Sequence, residues 1–183
     1  MKWSQLKKRI EATFADAVAG RVEVWNTRYR KSHDAEGEAW ITIDGQRVWS
    51  MGTYAYLMES WRELERRPTD LKCAESEEAD QRGGVFGLWG KTHRAVQARG
   101  VFALPDMNRA LFEYLSLSID DAISSENPVL RAFAMLDRRF GKRRLLGFDA
   151  SRENPLVQAL YRFRCEAEGV APLGDAKEKG AAR

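Results

Sequence analysis

Gly90-Lys91-Thr92 looks like the closing triplet of a phosphate-binding loop, a loop whose backbone N–H groups cradle phosphates while its Lys reaches them. That loop needs a glycine where Val85 stands, and Gly84 falls one residue too early. The stretch before it, Asp80-Gln-Arg-Gly-Gly84, reads as loop rather than strand, so no nucleotide site is expected. His33 and Asp34 are the pair that could supply a general base or one metal ligand. His93 is the only other histidine, and no H-x-x-x-H, H-E-x-x-H or C-x-x-C spacing occurs. Cys73 and Cys165 are too far apart in sequence for a metal spacing and too few for a disulfide framework. Asp120-Asp121 is explained by helix N-terminal charge. Catalytic, cofactor and metal residues are therefore all expected to be absent, with His33 and Asp34 the pair an enzyme would use.

The remaining chemistry is positive charge. Arg131, Arg138, Arg139, Lys142, Arg143 and Arg144 give the segment 126–147 six cations against two acids. Such a cluster can complement a helix C-terminus and pair with acids elsewhere, or it can hold phosphate, nucleic acid or an acidic protein surface. These six residues are the candidate partner-binding set.

A helix over 128–140 must position them. Asn127 caps its first turn and Pro128 fits N1, where no N–H is needed. Val129, Phe133, Leu136 and Phe140 then make one apolar stripe, and Gly141 stands where a left-handed residue ends a helix. The chain repeats this design. Ser151-Arg-Glu-Asn-Pro155 matches Ser124-Ser-Glu-Asn-Pro128 at four of five positions, and Leu156, Leu160, Phe163 and Ala167 take the apolar places up to Gly169. Two such helices should pack side by side.

Upstream, Trp3, Leu6, Ile10, Phe14 and Val18 predict an amphipathic helix ending near Gly20. Strands follow at 21–29, 39–43 and 47–51, the last two joined by Asp44-Gly45, a tight-hairpin signal. Alternation alone does not place Trp25, Trp40 and Trp49. Residues 53–67 return to helical spacing, with Tyr54, Leu57, Met58, Trp61 and Leu64 read as the inward face. Further helices are expected at 85–99, at 105–115 and after the Ser118 cap.

At 183 residues, 44% hydrophobic, with six Trp and eight Phe, the chain can bury a real core. A net charge of +3, from 30 Lys and Arg against 27 Asp and Glu, is too small to imply nucleic acid by itself. No run reaches the ~18 apolar residues of a membrane span, and no signal-peptide core opens the chain, so a cytoplasmic protein is expected.

Arg28-Tyr-Arg-Lys-Ser-His-Asp34 with Ala39-Trp-Ile-Thr-Ile-Asp-Gly45, Asn127-Pro128 continuing through Leu136-Asp-Arg-Arg-Phe-Gly-Lys-Arg-Arg-Leu145, and Leu160-Tyr-Arg-Phe-Arg-Cys-Glu-Ala-Glu-Gly169 resemble a family of small bacterial proteins with no established function. The resemblance supplies no catalytic residues. Asn127 to Leu136 is also similar, locally, to the second half of a HEAT-type repeat, which implies a helical surface for gripping another macromolecule.

The expected fold is α+β: a helix on a three-stranded antiparallel meander with a second helix (1–69), an acidic flexible connection (70–84), a helical half (85–172) and a disordered tail (173–183). A single compact domain is the alternative. The expected function is a bacterial interaction module, accessory, regulatory or immunity-like, that binds a protein partner. The alternative is nucleic-acid binding by the basic end of the 128–140 helix.

Overall fold

A computed structural model describes residues 1–29, 37–66 and 86–173. His33, Asp34, Cys73, the acidic segment 70–84 and the tail beyond Leu173 lie outside these residues. Of the expected tail, Leu173 is described, and its N–H donates to the Tyr161 hydroxyl at 3.1 Å.

The elements run α1 (Trp3–Glu11), β1 (Val22–Arg28), β2 (Gly37–Ile43), β3 (Gln46–Gly52), α2 (Thr53–Arg66), α3 (Phe86–Ala98), α4 (Leu104–Tyr114), α5 (Ile119–Ser124), α6 (Pro128–Leu136), α7 (Lys142–Leu146) and α8 (Pro155–Glu168). The fold is α+β, a three-stranded antiparallel meander in the order β1-β2-β3 with helices before and after it. Asp44 and Gly45 both take positive φ, 50° and 77°, which turns β2 into β3 with the hand a two-residue hairpin requires. Arg21 then holds Asp44 with two hydrogen bonds of 3.0 and 2.7 Å.

One face of the sheet is apolar. Val22, Val24, Ala39, Ile41 and Met51 are buried with Leu6 and Ile10 of α1. The same cluster takes in Met107 and Leu111 of α4, Leu130 and Phe133 of α6, and Leu160 of α8. One core thus draws on both sides of residues 67–85. Trp49 packs against it from β3, close under Gly100, where a Cβ would sit 2.8 Å from the indole ring. Trp25 and Trp40 lie on the other face as directly opposed partners, stacked at 6.2 Å between centroids. Lys7 caps Trp25 at 3.6 Å and Arg47 caps Trp40 at 4.3 Å. The outer face of the sheet is therefore closed by a cation–ring–ring–cation ladder.

The repeated helix opening is real. Asn127 and Asn154 each accept the N–H of the residue two places on, at 2.9 and 3.1 Å, and each precedes a Pro at N1. Helices α6 and α8 pack together, and Gly169 closes α8 at φ 65°. The Asn154 amide also donates to the Gln97 carbonyl at 2.7 Å, so one side chain serves the start of α8 and the end of α3.

Three expectations are corrected. The first helix ends at Glu11 rather than near Gly20, because the Thr13 hydroxyl takes the Ile10 carbonyl and Ala15 N–H turns to Leu136. Phe14 and Val18 are buried all the same. The helix expected over 128–140 stops at Leu136. Asp137 is extended and pairs with Phe14 as an isolated bridge, while the Arg138 N–H bonds Thr13 at 2.9 Å. Gly141 accordingly does not end that helix but caps the start of α7, at φ −67°. The third correction concerns α2. The structure buries Tyr56 and Ser60, while of the expected inward face Tyr54, Leu57, Met58 and Trp61 are 67%, 40%, 37% and 50% exposed and Leu64 is half-buried.

Candidate functional site

The six cations do not form one patch. Arg131 lies on α6 in a cleft of about 370 Å³ at the starts of α6 and α8, where it pairs with Glu153 at 2.9 Å and donates to the Ser125 carbonyl. Arg139 is bound to Asp137 through its backbone N–H (2.7 Å), Nε and Nη2, with Nη1 on the Leu117 carbonyl at 2.9 Å. Lys142 donates to the last turn of α8 at the Glu168 carbonyl, 2.9 Å. Arg144 pairs with Asp120 across exposed surface at 2.7 Å. Arg138 and Arg143 are exposed, and neither side chain has a hydrogen bond or ion pair among the described residues. Four of the six candidates are thus engaged within the chain, three of them on backbone carbonyls.

Asp137 explains why the charge is arranged so. Its side chain is fully buried, and a buried carboxylate is tolerated only when paired and hydrogen-bonded. The Tyr114 hydroxyl donates to it at 2.7 Å, and the Arg139 guanidinium brings the opposite charge. Burial first, and then the carboxylate beside it, hold the Tyr114 phenol well above its ordinary pKa; the bond to Asp137 raises that of Arg139. Tyr114 therefore stays protonated as a donor. On the other side, buried Arg164 of α8 reaches the carbonyl of Leu136 at 3.0 Å and is held by Glu168 at 2.9 Å. A cation on the unsatisfied carbonyls of a helix C-terminus is favourable electrostatics. The network fixes the end of α6, and its phenol, carboxylate and guanidinium all face one another.

The Gly90-Lys91-Thr92 triplet lies inside α3, with Thr92 fully buried, where backbone N–H groups are spent on the helix. His93 meets Tyr56 edge to face at 5.3 Å. Among the described residues no group of three or more His, Cys, Asp and Glu could hold a metal ion, and no helix is long and apolar enough to cross a membrane. Cys165 is fully buried.

The surface feature that sequence reasoning misplaced is α2. Its inner side rests on a small cluster of Tyr56, Val96 and Ala103, apart from the main core. Arg99 ties it to α3's end through Glu63, at 2.6 Å, and Glu59. Ser60 turns its hydroxyl to the Tyr56 carbonyl at 2.8 Å and leaves a smooth inner face. Four large apolar side chains consequently share the outer face. The alternation of Tyr56, Ser60 and Glu63 at the same helical spacing was the available signal of a second face. Nothing local ranks it above the apolar one.

Comparison with known proteins places the chain by family alone. The SF0329 protein family model matches residues 2–165. No curated protein and no solved structure matches the chain.

Proposed function

The chain belongs to the SF0329 protein family, and from that premise we propose that it is a non-enzymatic interaction module of the bacterial cytoplasm that binds a protein partner through the outer face of α2. The observation that carries this reading is the exposure of Tyr54, Leu57, Met58 and Trp61 at positions i, i+3, i+4 and i+7. That spacing is the one by which a helix is gripped in an apolar groove of another protein. Tyr and Trp are the residue types that anchor interfaces, and four clustered large side chains are not the scattered single apolar residues of an ordinary surface. The helix is already folded and tied down by Arg99, so little ordering cost remains for binding. The partner's matching surface is an apolar groove with a polar rim. The bacterial part of the reading rests on the family resemblance, and the cytoplasmic part is the expectation drawn from the sequence.

A photo-crosslinking residue in place of Met58, in living cells, tests this directly. A discrete protein adduct is expected, and it should vanish when Leu57→Ser is added. The purified partner should then bind the Leu57→Ser protein about 30-fold more weakly, as for an interface hot spot of ~2 kcal/mol. No adduct at Met58, alongside nucleic acid crosslinked at Arg143, would overturn the reading in favour of nucleic-acid binding.

A further inference from the structure

Between α1 and α4, beside the end of β1, lies a groove of about 430 Å³ that the α2 reading does not use. Trp3 and Leu6 of α1 and Phe112 of α4 line it, and Phe112 is left 46% exposed. Along β1 the core-side positions run Val22, Val24, Asn26, Arg28, so the strand changes from apolar to polar on reaching the groove. Asn26 donates its amide to Asn108 Oδ1 at 2.6 Å. That bond uses half of each side chain. The Asn26 carbonyl and the Asn108 NH₂ group have no hydrogen-bond partner among the described residues, so an acceptor and a donor are left unused in the lining of the groove. Arg28, exposed beside them, has no ion-pair partner among the described residues.

We propose that this groove binds a small acylated amino acid with an apolar side chain. A secondary amide offers one N–H and one C=O, the complement of the Asn26–Asn108 pair. The apolar side chain would sit among Trp3, Leu6 and Phe112, and the terminal carboxylate would meet the Arg28 guanidinium, whose fork matches it. The volume lies within the roughly 300–1,000 Å³ of small-molecule sites. A hydrocarbon of the same shape is disfavoured, because it would leave both amides unpaired on desolvation.

The probe is N-acetyl-L-leucine, titrated into the isotopically labelled full-length protein and followed by NMR. Shifts are expected at the Trp3 indole N–H and at the Asn26 and Asn108 side-chain amides. Arg28→Gln should weaken binding by about tenfold, and replacing the carboxylate by a carboxamide should do the same to the parent protein. The carboxamide should then be indifferent to Arg28→Gln. Arg28 is exposed, so that variant keeps the fold. Absence of these localised shifts at about 10 mM ligand, well beyond a millimolar Kd, overturns the proposal, as does a carboxylate preference that survives Arg28→Gln. A leucine-ended pentapeptide binding more than about tenfold tighter would overturn the small-molecule assignment and make the groove a receptor for chain ends.

Discussion

Helices α2 and α6 carry large apolar residues at the same spacing, and the two faces look in opposite directions. In α6, Val129, Phe133 and Leu136 are buried, with Leu130 and Met135 around them, and side chains from α4, α8 and the Phe14 segment cover the helix. In α2 the corresponding residues face water, and the helix docks through Tyr56, Ser60 and two carboxylates held by Arg99. The difference teaches that helical periodicity reports an apolar face without reporting what that face meets. Capping and charge separate the two cases better. The start of α6 is held by Asn127 and its end by Asp137 and Arg164, whereas α2 rests on a small satellite cluster and the ion pairs of Arg99.

The sharpest way to break this comparison is a pair of leucines. Leu136→Ala should cost about 2–5 kcal/mol by emptying a closed site. Leu57→Ala should cost under about 0.5 kcal/mol, as at an ordinary surface position. Denaturant titration measures both, and comparable losses would mean that the α2 face is covered in the free protein.

Next in size is Arg139→Ala. On sequence alone this residue is one of a solvated cluster, worth well under ~1 kcal/mol. Paired with buried Asp137, its loss should instead cost about 1.5–3 kcal/mol, the worth of hydrogen bonds to a charged group, discounted from a fully buried pair because the guanidinium is partly exposed. The same titration on Arg143→Ala, expected near zero, is the internal control.

How much of this was legible follows from the range of each interaction. The Asn-Pro helix openings, the Asp44-Gly45 hairpin, the Ser118 cap and the Gly169 ending are settled within a few residues, and the chain spells them out. The end of α6 is not of that kind. Nothing near Asp137 reveals that Tyr114 and Thr13 will draw it inward and stop the helix four residues short of Phe140. The basic cluster reads as one patch because its members are neighbours in sequence. Three of its members have distant carboxylate or carbonyl partners, Asp120 for Arg144, Glu168 for Lys142 and Glu153 for Arg131, and these disperse it. The groove residues Asn26 and Asn108 come from separate elements, so no local motif marks them.

The smallest effect concerns the nucleic-acid alternative. With Arg138 and Arg143 the cluster's cations without partners among the described residues, binding to duplex DNA should show a slope of log affinity against log salt no steeper than about −2. The sequence alone would allow roughly −3 to −5 from three to five engaged cations. A steeper slope that falls back to about −2 in Lys142→Ala/Arg144→Ala would show that Lys142 and Arg144 leave their internal partners to meet phosphate.

The bridge between Phe14 and Asp137, within a core shared by sheet and late helices, also sets an order of events on the ribosome. When Met51 has emerged, the meander is all but complete in sequence, yet Leu6, Ile10, Val24 and Ile41 have only one another for cover. Their lids, Met107, Leu130 and Phe133, belong to helices not yet made. At about 5–20 residues per second, roughly 4 to 17 s separate Met51 from Leu136. Throughout that interval the nascent chain shows apolar sheet surface to solvent, a natural client surface for a chaperone. The N-terminal half therefore cannot finish before the later helices arrive, although it is translated first.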